Sequence, residues 1–365
     1  MNTFYIPEPR APKTVPPQVV STFDLEIDAL IQAPRARDAF KVDGTGLAAA
    51  VLDTGLRVSH ECFTGRVLEG RNFTEQDGGD STRVDDHNGH GTNVAGIVAA
   101  GTSDARRGIA PGAKIVPLKV LPGGFQGILD ALHWVRDNKD KLGISVANLS
   151  LGVPGTNYLN DVAVAGQNPE LVAVLAQLRE SRVAVVVAAG NDYYNFQTEG
   201  MSFPAILRQC FAVGAVYDAS VGLRAYQSGA TATTTHADQV TPFTQRLAVE
   251  TSTDCYTDIF GPGASATSAG ADSDTATSVQ DGTSQAAPTV TGVILLMQQL
   301  CLRATHELPS IDLLSDCLRS GAVWVVDGDD EDDNVAHTGR RFPRIDAFQA
   351  LATLHKRLQL DAAGI

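Results

Sequence analysis

The chain has 365 residues, 43% of them hydrophobic, with 34 Gly, 17 Pro and a formal net charge of -14 at pH 7. This composition is ordinary for a folded chain with a large core, and the length leaves open whether there are one or two domains. The negative charge argues against a broad binding surface for nucleic acid or for an anionic membrane.

Residues 1–14 contain no apolar segment behind a basic one, so they are not predicted to be a secretory signal. No run of 18 apolar residues is free of polar interruptions, so no membrane-spanning helix is predicted. The five cysteines are odd in number and include no C-x-x-C pair, which favours reduced, buried thiols over a disulfide framework or a zinc site. We therefore expect a cytoplasmic protein.

Apolar or β-branched runs bounded by Gly, Pro or Asn predict buried parallel strands at 47–52, 115–121, 146–151, 183–189 and 211–216. Helical patterns separate them at 91–100, 128–138 and 159–182, the last with a break near Pro169. This alternation predicts an α/β fold with a doubly wound, mostly parallel sheet flanked by helices on both faces. Ligands bind such folds beyond the carboxyl ends of the strands.

The second half of the chain is less regular. A Thr- and Ala-rich segment at 218–240 is predicted to lie on the surface. An apolar stretch predicts a buried helix that begins at Ser284, with Pro288 tolerated in its first turn. The acidic run 327–333 lacks EF-hand spacing and is predicted to be a solvated loop. The helical and acidic-loop segment 311–365 is expected to join one domain that starts at residue 31.

Four side chains lie where they could act together. Asp53 ends an apolar strand, Asn191 follows a strand and a glycine, His90 lies between two glycines, and Ser284 begins a buried helix. A serine hydroxyl needs a base within hydrogen-bond reach, and the base needs a third group to hold its tautomer. The Ser284 amide lies in the first helical turn, outside the helix ladder, so with the Asn191 side-chain amide it could stabilise an oxyanion.

Each of these residues alone has an ordinary structural explanation. An aspartate after a strand is usually a turn or cap residue, a serine before an apolar helix is usually an N-cap, and an asparagine after glycine usually lies in a turn. The four together, in one order and at strand ends, favour catalysis. No G-x-S-x-G elbow occurs, which argues against an α/β-hydrolase.

The segments AAAVLDTGL, DDHNGHGTNVAGIVAAG, VVVAAGND and DGTSQAAPTVTGV resemble the motifs of subtilisin-like serine peptidases. The resemblance covers roughly residues 34–302, and the order Asp, His, Ser is the subtilisin order. It implies a serine endopeptidase with a catalytic triad of Asp53, His90 and Ser284 and with Asn191 as an oxyanion donor.

The resemblance also implies a substrate cleft. The family's extended segment, which pairs with the substrate backbone and lines one wall of the S1 pocket, is matched by Ser150, Leu151 and Gly152. The opposite wall resembles Gly123 and Gly124, and Ser202 resembles the base of S1.

Departures from the family concern calcium and the N-terminus. Cys62 stands where subtilisin has an aspartate ligand of calcium, and the loop 101–107 is shorter than the family's calcium loop, so that site is expected to be missing. The chemistry requires no cofactor, and structural calcium elsewhere is compatible with the sequence but unsupported. The extension 1–30 resembles that of intracellular subtilisins, which crosses the active site. An inhibitory segment at 4–10 is one hypothesis, and a disordered tail is the alternative.

The sequence therefore predicts a serine endopeptidase that acts on polypeptides through an acyl-enzyme, with no nucleic-acid or membrane partner. Two alternatives stay open. One is a dedicated protease that clips or transpeptidates a single precursor peptide, and the other is a catalytically silent binding protein of the same fold. The sequence does not predict the oligomeric state.

Overall fold

A computed structural model describes residues 3–4, 25–103 and 106–363. The strands in chain order are β1 (Thr3–Phe4), β2 (Ala48–Asp53), β3 (Arg71–Asn72), β4 (Gly101–Ser103), β5 (Arg106–Arg107), β6 (Lys114–Lys119), β7 (Gly123–Gly124), β8 (Ile144–Leu149), β9 (Ala184–Ala188), β10 (Phe211–Val216), β11 (Arg224–Ala225), β12 (Thr231–Ala232), β13 (Ile259–Pro262), β14 (Ala266–Ala269), β15 (Thr277–Gln280), β16 (Val323–Val326) and β17 (Arg341–Arg344).

The helices in chain order are α1 (Leu25–Leu30), α2 (Ala33–Phe40), α3 (His90–Ala99), α4 (Phe125–Leu142), α5 (Val162–Gln167), α6 (Pro169–Glu180), α7 (Tyr193–Phe196), α8 (Thr283–Thr305), α9 (Ile311–Ser320) and α10 (Ala347–Ala363). Short 3-10 segments lie at Glu61–Phe63 and Gln76–Gly79. Each predicted strand lies within two residues of an observed one at both ends, and the predicted break near Pro169 separates α5 from α6.

Nine strands form the central sheet, in the order β16-β17-β13-β10-β9-β8-β2-β6-β3. All neighbouring pairs in it are parallel except the edge pair of β16 with β17. The strand order reverses at β2, because β6 and β3 lie on one side of it and β8, β9 and β10 on the other. This confirms the predicted doubly wound sheet, and the reversal places the ligand crevice beyond the carboxyl end of β2.

Helices cover both faces of the sheet. Side chains alternate along β2, so Ala49 and Val51 contribute to one apolar cluster while Ala50 and Leu52 contribute to the other. The first cluster contains the buried sides of α3, α8 and α10, and the second contains those of α4 and α6. The sheet is therefore buried on both faces, which is why its strands are continuously apolar.

Helix α8 runs through the first cluster and begins at Thr283, one residue before the predicted start. All its residues from Thr283 to Cys301 are buried. Among the described residues this one helix has the length and apolar composition that could cross a membrane, but 94% of its apolar window is buried inside the protein. The apolar residues of this helix therefore pack in the core of the fold.

Two surface predictions hold for only part of each segment. Asp329, Asp330 and Asp332 are exposed, as are Leu223 and Gln227, but each segment also contributes buried residues. Within the acidic run, Asp327 is completely buried because the buried Arg246 guanidinium neutralises it, and the Asp333 side chain is only 1% exposed. Within the segment 218–240, Tyr226 and Ala230 belong to the main core. The five cysteines are buried and form no disulfide, as predicted.

Candidate active site

Asp53 and His90 are in direct contact. His90 Nδ1 donates to Asp53 Oδ1 at 2.7 Å, and both side chains are almost completely buried. Asp53 is the last residue of β2, and its Oδ1 also accepts a hydrogen bond from Thr54 N at 2.7 Å. The carboxylate therefore holds one imidazole tautomer and points the other ring nitrogen, Nε2, away from itself.

Two glycines allow α3 to begin at His90. Gly89 has φ +94°, a left-handed conformation that other residues rarely adopt. A Cβ on Gly91 would lie 2.3 Å from Gly55 O and 3.2 Å from Asp53 Oδ1. The absence of a side chain at Gly91 therefore lets the helix approach the end of β2 closely.

Asp86 links β2 to α3. Its Oδ1 accepts from Thr54 Oγ1 at 2.9 Å and from Gly89 N at 2.8 Å, and its Oδ2 accepts from Thr92 N at 2.9 Å and Thr92 Oγ1 at 2.6 Å. Burial alone would raise the pKa of Asp86, but the hydrogen bonds from Thr92 and Gly89 outweigh it and lower the pKa below its usual range. Sequence reasoning missed this residue, although it lies four positions before His90.

The Asn191 side chain has a defined orientation. Its Oδ1 accepts from Thr283 N and from Thr283 Oγ1, each at 2.9 Å. Because a backbone N–H can only donate, the atom facing it is the amide oxygen, and Nδ2 must point the other way. A Cβ placed on Gly282 would lie 3.2 Å from Asn191 Nδ2 and 3.5 Å from Ser284 N. The two predicted oxyanion donors therefore both lie close to Gly282, at the start of α8.

Ser284 is bound to the end of β8. Ser284 Oγ donates to Ser150 O at 3.1 Å, and Ser150 Oγ donates to Ser284 O at 2.7 Å. Asn148 Nδ2 donates to Ser150 Oγ at 2.9 Å, and Thr291 Oγ1 donates to Asn148 Oδ1 at 2.9 Å. These buried bonds hold the first turns of α8 against the segment that the sequence assigned to substrate binding.

Ser202, which was predicted to form the base of S1, lies close to Gly152 and Gly190. A Cβ on Gly152 would be 2.9 Å from Ser202 Oγ, and a Cβ on Gly190 would be 2.9 Å from Ser202 Cβ. Ser202 is buried, and its Oγ has no hydrogen-bond partner in the part of the chain that the structure describes. Leu151, between Ser150 and Gly152, is buried in the second apolar cluster.

Gly123 and Gly124 form β7, which pairs with the N-terminal strand β1. The pairing is antiparallel, with Thr3 opposite Gly124 and Phe4 opposite Gly123. A strand of the protein's own N-terminus therefore occupies an edge that the sequence assigned to the substrate cleft. Most of the predicted inhibitory segment 4–10 lies outside the described residues.

Cys62 stands where the family resemblance places an aspartate ligand of calcium. Cys62 is buried in the first apolar cluster and offers sulfur where such an ion needs oxygen. An acidic group elsewhere, formed by Asp327, Glu331 and His337, places three possible ligand atoms within 4.8 Å of one another. Arg246 and Thr338 already bind the Asp327 carboxylate, so this group is an ion-pair network.

Comparison with known proteins gives one family. The family model of the subtilases, peptidase family S8, matches residues 44–311. A solved structure described as a cold-adapted subtilisin-like serine proteinase superposes with a TM-score of 0.58 and 26% identity, covering 84% of this chain and 90% of that one.

Curated relatives agree with the family match. The major intracellular serine protease of Bacillus subtilis (strain 168) is 35% identical over 48% of this chain and 52% of its own length. The intracellular serine protease of Paenibacillus polymyxa is 33% identical over 51% of this chain and 54% of its own. The extracellular serine proteinase of Thermus sp. (strain Rt41A) is 32% identical over 76% of this chain and 57% of its own. The chain thus spans about half the length of the curated relatives it matches.

Proposed function

Because the chain belongs to the subtilase family, we propose that it is a serine endopeptidase that hydrolyses peptide bonds in polypeptides through an acyl-enzyme. Asp53, His90 and Ser284 are the catalytic triad, and Asn191 is an oxyanion donor. The observation that carries the proposal is the buried hydrogen bond of 2.7 Å between His90 Nδ1 and Asp53 Oδ1. It lies at the carboxyl end of β2, where the strand order reverses.

The proposed reaction begins with transfer of the Ser284 Oγ proton to His90. Ser284 has one hydroxyl proton, so its bond to Ser150 O must be exchanged for one to His90 Nε2. As Oγ attacks the scissile carbonyl, Asn191 Nδ2 and Ser284 N stabilise the developing negative charge. Asp53 stabilises the imidazolium that forms, and His90 then returns the proton to the leaving amine. Water hydrolyses the acyl-enzyme by the same steps.

The substrate backbone is proposed to pair with Ser150, Leu151 and Gly152 as an added strand. Ser202 lies next to Gly152 and Gly190 at the predicted base of S1, so the pocket is proposed to be neither deeply charged nor closed. A peptide-library digest read by mass spectrometry tests this, because cleavage should concentrate after uncharged side chains. The same digest separates broad degradation from cleavage of one precursor, since a maturation protease would leave most library peptides intact.

A serine-directed fluorophosphonate probe tests the activity itself. The wild-type protein, trimmed of its first 20 residues, should be labelled, and Ser284→Ala should abolish both labelling and casein hydrolysis. Removing the nucleophile or the base of such a triad lowers turnover by about a millionfold in subtilisin. Ser268→Ala is the matched control, since Ser268 is also a fully buried serine. A trimmed wild type that takes up no label would favour a silent binding protein.

We propose that the N-terminal segment restrains this activity. The pairing of Thr3 and Phe4 with Gly124 and Gly123 supports this, because a strand held at that edge competes with a substrate strand for the same backbone groups.

A cytoplasmic location is proposed from the names of the Bacillus and Paenibacillus relatives. The extracellular Thermus relative matches more of this chain, so cell fractionation of the native host is the deciding measurement. Activity confined to the culture medium would contradict the proposal.

A further inference from the structure

The oxyanion side of the site contacts a part of the chain that the family model does not cover. The family match ends at residue 311, and the loop 327–339, named here the C-terminal loop, lies beyond it. This loop packs on α7, which begins at Tyr193, two residues after Asn191. Tyr193 Oη donates to Ala336 O at 2.8 Å, and Ala336 N donates to Gln197 Oε1 at 2.6 Å.

Arg246 joins Tyr193 to the C-terminal loop. Its guanidinium lies 3.5 Å from the centre of the Tyr193 ring. Its Nε and Nη2 donate to the two oxygens of Asp327 at 2.9 and 2.8 Å, and the two side chains are 1% and 0% exposed. Such a bidentate pair has one geometry, so in a dry interior it holds its neighbours in fixed positions.

Asp327 is also held from within the C-terminal loop. Its Oδ2 accepts from Thr338 N at 2.7 Å and Thr338 Oγ1 at 2.6 Å. His337 lies between two carboxylates, with Nδ1 3.3 Å from Asp327 Oδ1 and Nε2 3.4 Å from Asp333 Oδ1. Burial raises the pKa of Tyr193, with Arg246 opposing the effect, so its hydroxyl stays protonated and can donate.

The residue next to Arg246 holds the other side of Asn191. Gln245 Oε1 would lie 2.0 Å from a Cβ on Gly190, and it accepts from Asp192 N at 3.4 Å. Asn191 is therefore flanked by Gly190 and Asp192, which contact Gln245, and is followed by Tyr193, which contacts Arg246. One short segment thus fixes the backbone on both sides of the oxyanion donor.

We infer that the C-terminal loop is a positioning element for the oxyanion donor, acting through Arg246 and Tyr193 on Asn191. The inference rests on the proposed endopeptidase function. The side-chain amide of Asn191 must stand at the distance required by the transition state, and a displacement of about 1 Å at such a group can cost on the order of a hundredfold in rate. Tyr193 and Arg246 are thus positioning residues, because they act through Asn191.

The test variant, Tyr193→Phe, removes one hydrogen bond and keeps the aromatic ring that Arg246 contacts. In Tyr193→Phe the bond to Ala336 O is lost, and we expect kcat on a peptide amide to fall about tenfold with KM within twofold. The matched control is Tyr217→Phe, because Tyr217 is equally buried and its hydroxyl bonds to Tyr226 Oη at 2.8 Å, not to the C-terminal loop. The control should keep kcat within twofold.

A double-mutant cycle separates positioning from general destabilisation. In an Asn191→Ala background the donor is absent, so Tyr193→Phe should cause no further loss of kcat. An equal loss in both backgrounds, or no loss in the wild-type background, overturns the inference while leaving the proposed function intact. A wild type without Ser284-dependent turnover overturns both.

A second variant covers the case in which Tyr193→Phe does not fold. Gln197→Ala removes the bond from Ala336 N at the residue that follows α7, and it cuts back a half-buried side chain. It should lower kcat severalfold with KM unchanged, and only when Asn191 is present. An unchanged kcat in a folded Gln197→Ala protein counts against the inference.

Discussion

Thr54 and Asp86 share a hydrogen bond of 2.9 Å between Thr54 Oγ1 and Asp86 Oδ1, and this bond ties the end of β2 to the start of α3. Thr54 Oγ1 also accepts from Gly91 N at 2.9 Å. Asp53 and His90 are thus held in register by their neighbours as well as by their own contact. The distance between the proposed orienting carboxylate and the proposed base depends on this bridge.

Asp86→Asn should therefore lower kcat about tenfold while leaving KM within threefold. All five hydrogen bonds to the Asp86 carboxylate come from donors, so an amide would place an N–H group against some of them. A donor left unpaired in a partly buried site costs about 1–3 kcal/mol. Steady-state kinetics check the prediction.

The control for this prediction is Asp85→Asn. Asp85 precedes Asp86, but its side chain is 54% exposed and its one described partner is Arg83 at the surface. The pH dependence of stability gives a second test of the role of Asp86. Because the folded-state pKa of Asp86 is lowered, its contribution to stability is present above about pH 4 and is lost as the pH falls through the folded pKa. Wild type should lose stability more steeply below pH 4 than Asp86→Asn, and parallel curves would contradict this.

Asn191→Ala should lower kcat by about a hundredfold to a thousandfold without raising KM. The loss corresponds to about 3–4 kcal/mol, the size seen when one oxyanion donor is removed from subtilisin. Asn195→Ala is the matched control, since Asn195 lies on α7, four residues after Asn191. It is exposed, and the one described bond of its side chain is to Asp192 Oδ1 at 3.3 Å. A rise in KM with kcat unchanged would mean that Asn191 binds the ground state instead.

Deleting residues 2–20 should increase the initial rate on a short peptide substrate, because the strand at Gly123 and Gly124 is removed. Phe4→Pro gives the same test without shortening the chain, since proline has no backbone N–H and is disfavoured in a paired strand. Phe4→Ala keeps that backbone donor and serves as its control. Equal rates for wild type, deletion and Phe4→Pro would show that the segment does not restrain the enzyme.

Ionisation of Asp258 should lower the free energy of unfolding as the pH rises towards neutrality. It lines a cavity of about 180 Å³, and burial raises its pKa to about 7, although hydrogen bonding from Ala212 N and the charge of Arg319 oppose the shift. An acid with a raised folded-state pKa binds its proton more tightly in the folded than in the unfolded protein. The folded protein is therefore progressively destabilised between about pH 4 and pH 7.

Urea unfolding at pH 5 and pH 8, in EDTA to keep cations from the carboxylate, measures this effect. The asparagine of Asp258→Asn can keep the hydrogen bond from Ala212 N, which is 2.8 Å long in the wild type. Relative to wild type, this substitution should raise the free energy of unfolding more at pH 8 than at pH 5. Asp312→Asn is the control, because Asp312 lines the same cavity but is 83% exposed. If the free energies of unfolding of wild type and Asp258→Asn differ by the same amount at both pH values, the raised pKa of Asp258 is not the cause.

The apolar runs predicted the sheet because a strand buried on both faces must be apolar throughout, and β10 was predicted with its observed bounds. The start of α8 was also predicted to within one residue. Asp53, His90, Asn191 and Ser284 were selected from sequence motifs, and the geometry now shows the first two in contact. Their catalytic roles stay proposals that the experiments above test.

Only the tertiary structure decided how those residues are held. Arg246 and Asp327 are 81 positions apart, and nothing local in an acidic run shows that one of its members is buried against a guanidinium. Tyr193 and Gly91 likewise acquire their roles from neighbours that folding supplies. Strand identity follows from local hydrophobicity, which a sequence displays directly. Ion pairing and positioning follow from long-range contacts in a dry interior, where a charge is stable only beside a partner that the fold brings to it.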